Sequence, residues 1–505
     1  MDDSQPHILL TALAVIAAIY IFRWQTDPLR HIPTVGGPSA PGLAFLTGLK
    51  YMRNGRKVMT QGYKKYYGTP FKVAHLDKWV VVVSGQKLID ELWRAPDAKL
   101  STLAGIQDTI QLGYTFGTEI WHDMLELTVV REMLTRALPA LMPAVIDEIK
   151  AALLDYIPQN DEWTPVHGIK TMSKIVARTS SRVFIGLPFC RDDDYLALIL
   201  GFTADVMKDR FFLTVFPYFL KPYVGPIVSR ARKTMSKGLN IILPMITDRR
   251  NNMEEHGDDW SNKPMDLLQW LIEEVIARKC SEYKMVERLF LVNLAAIHTS
   301  SSTLTNALYD LASRPELISE IRVEIESVIA SDGWSKVAVG KMRKLDSVCK
   351  ETLRCHGMSL LGLVRRTLTD VTLSDGTFIP SNTTVAAASF PTHHDAAVYA
   401  DPHVLDPLRF AKMGADGDDS ERGALKHQTV VTSTEFLPFG HGRHACPGRW
   451  FAANELKVVL AQILLVYDIK LGGDGKRPAS SNIASTVLPP LGQVFFRKRQ
   501  GVSKS

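Results

Sequence analysis

The chain has 505 residues, of which 46% are hydrophobic and 22% charged, a composition typical of a globular protein with a large core. Its five cysteines are odd in number and lack C-x-x-C spacing, which argues against a disulfide framework and against structural zinc. The net charge of +6 is dispersed, so we expect no nucleic-acid partner; a basic face for an acidic protein or a membrane surface fits better.

The first segment of the chain is apolar. Residues 8–22 read ILLTALAVIAAIYIF, close to the ~20 apolar residues that a membrane span needs. Basic residues follow this segment, and MDD precedes it in place of the positive region of a cleaved signal. We therefore predict a transmembrane anchor over residues 1–24, with a buried core helix as the alternative. The Pro- and Gly-rich residues 25–45 are predicted to form a stiff hinge.

Helical periodicity dominates from about residue 57 onward. It predicts helices over residues 57–67, 88–94, 119–138, 143–156, 168–184, 192–209, 284–314, 316–330, 347–357 and 449–465. Strand-like segments are few, at residues 70–75, 79–84, 367–373, 384–388 and 494–497. Because no linker composition follows residue 45, we expect a mainly α fold with a small β portion, as one large domain over residues 46–505.

One cysteine, Cys446, lies in the turn FGHGRHACPG of residues 439–448. The helix predicted from Arg449 would lower the pKa of a thiol at its amino end, which suits a nucleophile or a metal ligand. A buried thiol without function is the third alternative. No His and acid stand where a cysteine protease would need them. A lone thiolate is also too poor for zinc or an iron–sulfur cluster, whereas haem brings four nitrogens and needs one protein ligand.

This turn resembles the haem-binding loop of the cytochrome P-450 family, F-x-x-G-x-R-x-C-x-G, and its GRHACPGR core is similar to fungal microsomal members. Phe439, Gly442, Cys446 and Gly448 match the pattern, and His444 stands where the pattern has arginine. The resemblance implies that Cys446 is the axial ligand of haem b. It also implies that His444 replaces the arginine that reaches a haem propionate, with a hydrogen bond that carries less charge.

An acidic and two basic residues upstream of the turn resemble a second family pattern. Glu351 and Arg354, in SVCKETLRCHG, lie three residues apart on one helix face and match the E-x-x-R pair. The segment DPLRF supplies Arg409. The resemblance implies that the three form a buried ion network that holds the loop carrying Cys446.

Further basic residues are candidates for binding the propionates. Arg365, or its neighbour Arg366, occupies the place where the family commonly has a basic residue; surface charge is the alternative. The family pattern W-x-x-x-R fails here, because position 125 is Leu. We expect His122 or Arg131 to replace that arginine.

The segment LAAIHTSSSTLTN at residues 294–306 resembles the helix that crosses the haem in this family, with the pattern [AG]-G-x-[DE]-T-[TS]. Ala295 and Ala296 would leave room for O2 and substrate, and Thr299 matches the threonine that helps to deliver protons. His298 replaces the usual acid. We expect it to relay protons near neutral pH, with a side chain that faces solvent or a neighbouring helix as the alternative. The Ser and Thr run after it favours a local bulge.

Mostly apolar segments are expected to line the pocket, which predicts a lipophilic substrate. The residues placed there are Ala295, Ala296, Leu361, Val364, Thr486 and Val487. Similarity to fungal biosynthetic members points to a terpenoid-like secondary metabolite.

The resemblance implies a monooxygenase of the endoplasmic reticulum membrane that uses O2 and electrons from an NADPH-cytochrome P-450 reductase, with cytochrome b5 as a second donor. A basic patch on the Cys446 side is expected to receive the reductase, from Arg131, Arg443, Arg449 and Lys457. Two alternatives stay open: a haem-thiolate isomerase or dehydratase that does not use O2, and a non-catalytic haem-binding protein.

Overall fold

The computed structural model describes residues 4–40, 42–115, 124–279, 281–416 and 425–500. Their helices are α1 Ser4–Gln25, α2 Leu43–Lys65, α3 Gln86–Arg94, α4 Thr102–Ile110, α5 Leu112–Thr115, α6 Leu125–Val129, α7 Thr135–Tyr156, α8 Gly168–Phe184, α9 Asp193–Leu213, α10 Lys221–Val228, α11 Arg230–His256, α12 Leu267–Ala277, α13 Glu282–Ala312, α14 Pro315–Asp332, α15 Lys336–Lys341, α16 Arg343–His356, α17 Ser389–His393, α18 Arg409–Asp416 and α19 Arg449–Val466. The strands are β1 Thr34–Val35, β2 Phe71–Ala74, β3 Trp79–Val83, β4 Leu100–Ser101, β5 Thr164–His167, β6 Gly362–Thr367, β7 Val371–Thr372, β8 Phe378–Ile379, β9 Thr384–Ala387, β10 Tyr467–Leu471, β11 Ser481–Ile483, β12 Thr486–Leu488 and β13 Gln493–Lys498. The predicted mainly α fold with a small β portion is confirmed.

The strands form one larger sheet and three small ones. The larger sheet has the order β1-β2-β3-β9-β6-β4, with β3 and β9 parallel and β6 antiparallel to β9. Strand β6 alternates in burial, so that Leu363, Arg365 and Thr367 share its buried face. A buried arginine on this face is unusual and bears on the site described below.

The centre of the helical part is α13, against which α8, α9, α11, α16 and α19 pack. Its residues 300–312 are buried on every side, including the hydroxyl residues of the Ser and Thr run. Those hydroxyls donate to carbonyls one turn earlier, such as Thr303 to Thr299 over 3.0 Å and Thr305 to Ser301 over 2.7 Å. The helix continues through them, so the expected bulge is wrong: these bonds add to the main-chain ladder rather than replace it.

The amino-terminal segment is helical. Residues 4–25 form helix α1, but no helix in the described part of the chain is both long enough and apolar enough to cross a membrane. The predicted transmembrane anchor over residues 1–24 is therefore not supported. Within residues 25–45, Leu29 and Ile32 are buried and β1 pairs with β2 in the larger sheet.

Two helices run further than the periodicity predicted. Helix α2 begins at Leu43, and a kink at Asn54, with φ −126° and ψ 33°, interrupts its period. Helix α7 continues through Pro139 and Pro143, where a break was expected. Proline removes one helix hydrogen bond each time, and the packing of α7 against α8 and α19 outweighs that loss.

Candidate functional site

The turn around Cys446 is held by its own backbone and by one aromatic ring. The Cys446 amide donates to the carbonyl of Phe439 over 2.8 Å, just before α19 begins. Gly440 and Gly442 have φ angles of 66° and 70°, in the left-handed region that favours glycine. A Cβ at Gly442 would lie 2.3 Å from the ring of Trp93, so a larger side chain has no room there.

The thiol of Cys446 faces opposing electrostatic effects. Burial raises its pKa above the ordinary value, and this effect outweighs the backbone amides of Gly448 and Arg449, which favour the thiolate. The predicted lowering of the pKa is therefore wrong for the chain alone, because the helix end does not compensate for the lost hydration. A metal ion bound to the sulfur would supply the missing positive charge.

The structure brings the three residues of the second pattern together. Arg354 donates to both oxygens of Glu351, over 2.8 Å and 2.7 Å, and Arg409 donates to Glu351 Oε1 over 3.1 Å. Glu351 and Arg354 are fully buried and Arg409 nearly so. The two arginines also donate hydrogen bonds to the carbonyls of His393, Ala400, Pro402 and Val404.

One residue that the sequence did not indicate joins this network to the cysteine turn. Arg354 donates to the carbonyl of His393 over 2.5 Å, and the His393 ring accepts the amide of Leu437 over 3.0 Å. Burial lowers the pKa of His393 to about 3, which keeps its ring nitrogen an acceptor. Because Leu437 stands two residues before Phe439, the network is connected to the turn through His393 and the backbone of residues 437–439.

Arg365 is a buried cation with an unused donor. It is 3% exposed, and its Nη1 donates to the carbonyl of Val364 over 3.1 Å, whereas its Nη2 is buried without a partner among the described residues. Burial, with repulsion from Arg443, lowers its pKa to about 10. The neighbouring Arg366 instead pairs with Asp108 over 3.0 Å. A guanidinium left in this state fits an anionic ligand group, such as a haem propionate.

His444 lies at the edge of the same region. Its Nε2 is 2.9 Å from an oxygen of Asp97 and 3.0 Å from Nε of Arg443. Burial is the main effect that lowers its pKa, with repulsion from Arg365 and Arg443 adding to it. The arginine of the family pattern is thus replaced here by an imidazole that already has a carboxylate neighbour.

The described part of the chain places Arg131 on the surface, where its Nη2 lies 3.4 Å from the carbonyl oxygen of Arg443. His122 falls outside the described residues. Of the expected reductase patch, Arg443 is exposed, but Lys457 is buried and donates to the carbonyl of Val339 over 2.9 Å. Lys457 is therefore not part of a docking surface, because a landing patch must be open to solvent.

Helix α13 is uncovered at one place. Between residues 285 and 312, the positions that keep accessible surface are Ala295, Ala296, His298 and Thr299. The hydroxyl of Thr299 donates to the carbonyl of Ala295 over 2.7 Å and lies 3.2 Å from that of Ala296. This part of a central helix is thus free to face a bound ligand, and the Thr299 oxygen keeps lone pairs for it.

The predicted relay residue is neutral. Burial, and to a smaller extent repulsion from Arg210, lower the pKa of His298 to about 4. At neutral pH the imidazole carries no charge, so it can pass a proton only as donor on one nitrogen and acceptor on the other. Arg210, at the end of α9, was not singled out from the sequence, although it directly precedes the apolar residues 211–219.

The remaining pocket residues divide into two groups. Leu361 and Val487 are buried in a cluster with the larger sheet, and Val364 packs against that cluster. Thr486 keeps accessible surface, and its hydroxyl accepts a hydrogen bond from Nη2 of Arg210 over 3.1 Å. The hairpin of β11 and β12 thus meets α9 through a polar contact.

Comparison with known proteins agrees with this geometry. Residues 36–496 match the family model described as cytochrome P450. The chain is 46% identical to cytochrome P450 monooxygenase 151 of Postia placenta, over 99% of this chain and 100% of the relative, and 30% identical to ent-kaurene oxidase P450-4 of Gibberella fujikuroi, over 93% and 92%. The solved haem domain of cytochrome P450DA has the same fold, with a TM-score of 0.69 and 17% identity over 93% of this chain and 98% of that one. The chain is therefore a member of the cytochrome P450 family, whose haem-thiolate cofactor and monooxygenase class it shares.

Proposed function

We propose that this protein oxidises a lipophilic, terpenoid-like small molecule with O2 and electrons that an NADPH-dependent reductase supplies, with cytochrome b5 as a second donor. The observation that carries the proposal is the arrangement of a free, half-buried thiol at Cys446, a buried guanidinium with an unused donor at Arg365 and the uncovered face of α13 at Thr299. Haem bound to such a thiolate supplies the activation of O2 and the transfer of one oxygen atom.

The residues around that group have separable tasks. Cys446 would bind the iron, and Arg365, with His444 beside it, would bind the propionates. Thr299 would hold a proton donor at the face of α13, and Ala295 and Ala296 would leave room for substrate above it. Arg131 is proposed only as part of the exposed basic surface with Arg443, since its guanidinium contacts the outside of the turn.

The proposed substrate class rests on the apolar surroundings and on one relative. Leu361, Val364 and Val487 belong to or pack against an apolar cluster, which supports a lipophilic ligand. The ent-kaurene oxidase at 30% identity supports a terpenoid, by analogy alone.

Contact with a membrane surface is supported by large apolar side chains that stand open to solvent. Phe219, Tyr223 and Ile227, before and within α10, are 70%, 73% and 76% exposed. Exposed apolar residues gathered in one short segment are typical of a surface that meets lipid or another protein. We propose that this segment rests on the endoplasmic reticulum membrane, with the catalytic domain on its cytoplasmic side.

The test is turnover with an isotope. Purified holoprotein, a fungal NADPH-dependent reductase and a panel of diterpenes and triterpenes are incubated under 18O2. We expect a product that gains one 18O atom and consumption of NADPH that depends on the substrate. A rearranged or dehydrated product without 18O would indicate the isomerase or dehydratase alternative, and haem binding without any product from the panel would favour the non-catalytic protein.

A further inference from the structure

Arg210 lies on the pocket side of the molecule, the side of Thr299 and Thr486, and its ion pairing differs from that of the neighbouring cations. Three nearby cations have carboxylate partners: Lys78 and Arg366 both contact Asp108, over 3.4 Å and 3.0 Å, and Lys221 contacts Asp77 over 2.5 Å. Among the described residues, no carboxylate lies within ion-pair distance of Arg210. The charge of Asp77 attracts Arg210 electrostatically, but the Asp77 carboxylate forms its ion pair with Lys221.

The surroundings of Arg210 are polar but neutral. Its Nη2 donates to the hydroxyl of Thr486 over 3.1 Å. Burial is the main cause that lowers the pKa of His75 and of His298 to about 4, and the charge of Arg210 contributes a smaller part in the same direction. The Nε2 atom of His75 is buried without a partner in the described part of the chain. Burial lowers the pKa of Arg210 to about 10, so the guanidinium stays charged at neutral pH.

A half-buried cation without a carboxylate partner costs folding free energy, so it is expected to serve a ligand. We propose that Arg210 binds the carboxylate of the substrate, and that the protein acts on lipophilic carboxylic acids. This inference rests on the proposed function and narrows its substrate class. A guanidinium binds a carboxylate through two parallel hydrogen bonds, and a single free cation matches a monoanion better than a phosphate ester.

This contact would also restrict where oxidation occurs. Arg210 stands between the end of α9 and the β11–β12 hairpin, and its charge reaches His298, which is adjacent to Thr299 along α13. An acid held at Arg210 is anchored at one end, so only a limited set of its carbons can reach the face at Thr299. The inference thus predicts regioselectivity for acids that neutral analogues lack.

The experiment compares acids with their methyl esters. Equilibrium binding of abietic acid, palmitic acid and the two esters is measured on the holoprotein for the wild type, Arg210→Met, Arg210→Lys and Lys208→Met. Lys208 lies on the same helix and its side chain is 60% exposed. Lys208→Met therefore removes one positive charge outside the pocket and serves as the control. We expect at least one acid to bind about tenfold or more tightly than its ester, with the preference lost in Arg210→Met, partly kept in Arg210→Lys and unchanged in Lys208→Met.

A ligand-free measurement separates binding from folding. Without ligand, the Tm of Arg210→Met should equal or exceed that of the wild type, because the substitution removes an uncompensated charge. The inference is overturned if no acid binds more tightly than its ester, or if Arg210→Met lowers the Tm and keeps the preference. Failure of the proposed function looks different: an acid could still bind more tightly than its ester, but no product would gain 18O in the turnover experiment.

Discussion

The Cys446 side of the molecule and its pocket side handle buried polar groups in opposite ways. On the Cys446 side, Glu351 accepts bonds from two arginines, and Arg354 also donates to the carbonyl of His393, whose ring accepts the amide of Leu437. On the pocket side, Arg210 has one neutral partner, and His75 has a buried nitrogen with none among the described residues.

This difference indicates that the Cys446 side is rigid, whereas the buried polar groups of the pocket side are satisfied when a ligand binds. A saturated network resists movement, because any displacement breaks several buried bonds at once. Unsatisfied groups are costly until a ligand reaches them. Arg365 follows the same logic next to the rigid turn, where the group that completes it is the cofactor.

The largest effect is expected when the saturated network is broken. Glu351→Gln leaves two buried arginines without their carboxylate, so we expect the free energy of unfolding to fall by about 3–5 kcal/mol. Chemical denaturation of the purified protein measures it. Glu326→Gln is the control, because its bond to Arg499 lies at the surface and should change stability by less than about 1 kcal/mol. Equal effects of the two substitutions would remove the distinction between the two sides.

The next effect concerns the unused donor beside the turn. Arg365→Met should weaken haem binding by about 10- to 100-fold, the loss expected for a charge-assisted hydrogen bond. Haem transfer to apomyoglobin gives the rate of loss for each variant. Arg366→Met is the matched control, since this neighbour is committed to Asp108. A larger loss of haem from Arg366→Met than from Arg365→Met would show that Arg366, and not Arg365, binds the propionate.

A smaller effect is expected on the uncovered face of α13. Thr299→Val removes the hydroxyl and keeps the shape, so the fraction of NADPH electrons that reach product should fall by about tenfold. This is less than a required general acid contributes, because water can partly replace the hydroxyl. Product is measured against NADPH and peroxide. Thr303→Val, one turn later and buried, should leave the ratio unchanged; an unaltered ratio in Thr299→Val would exclude the hydroxyl from proton delivery.

The smallest effect is the pH dependence of stability expected from Glu455, which, unlike Glu351, is not fully hydrogen-bonded among the described residues. Glu455 of α19 is buried, its Oε1 accepts from Ser180 over 2.9 Å, and its Oε2 has no partner in the described residues. Burial raises its pKa from 4.5 to about 7. The folded protein thus binds this proton more tightly than the unfolded chain, so stability should fall as pH rises from about 4.5 to 7 and then level off. Tm measured across this range should change less in Glu455→Gln; an identical pH profile would contradict the raised pKa.

The residues of the cysteine turn and of the ion network could be found from sequence because each is fixed by a short, ordered spacing. Gly442 is required because its φ is positive and because the ring of Trp93 leaves no room for a side chain, so this glycine belongs to the motif that can be recognised in the sequence. The long helix over residues 284–314 was also predictable, since neither Gly nor Pro interrupts it and it ends before Pro315.

What sequence could not give depends on contacts between distant segments. The partner of Arg210 is on β12, 276 residues away, and the thiol pKa of Cys446 depends on how deeply the turn is buried. Strand β6 was not predicted, because its two arginines do not resemble a strand that buries one of them, and the strand predicted over residues 367–373 contains the short β7. The first half of helix α2, over residues 43–56, was not predicted, because the kink at Asn54 resets the helical period.

The most direct test of thiolate ligation compares cysteines. The reduced carbon-monoxide difference spectrum is recorded for the wild type, Cys446→Ala and Cys349→Ala, the last being a buried cysteine of α16. We expect the red-shifted Soret band of thiolate-bound haem in the wild type and in Cys349→Ala, and its absence in Cys446→Ala. A Cys446→Ala protein that keeps this band would show that the sulfur of Cys446 does not bind the iron.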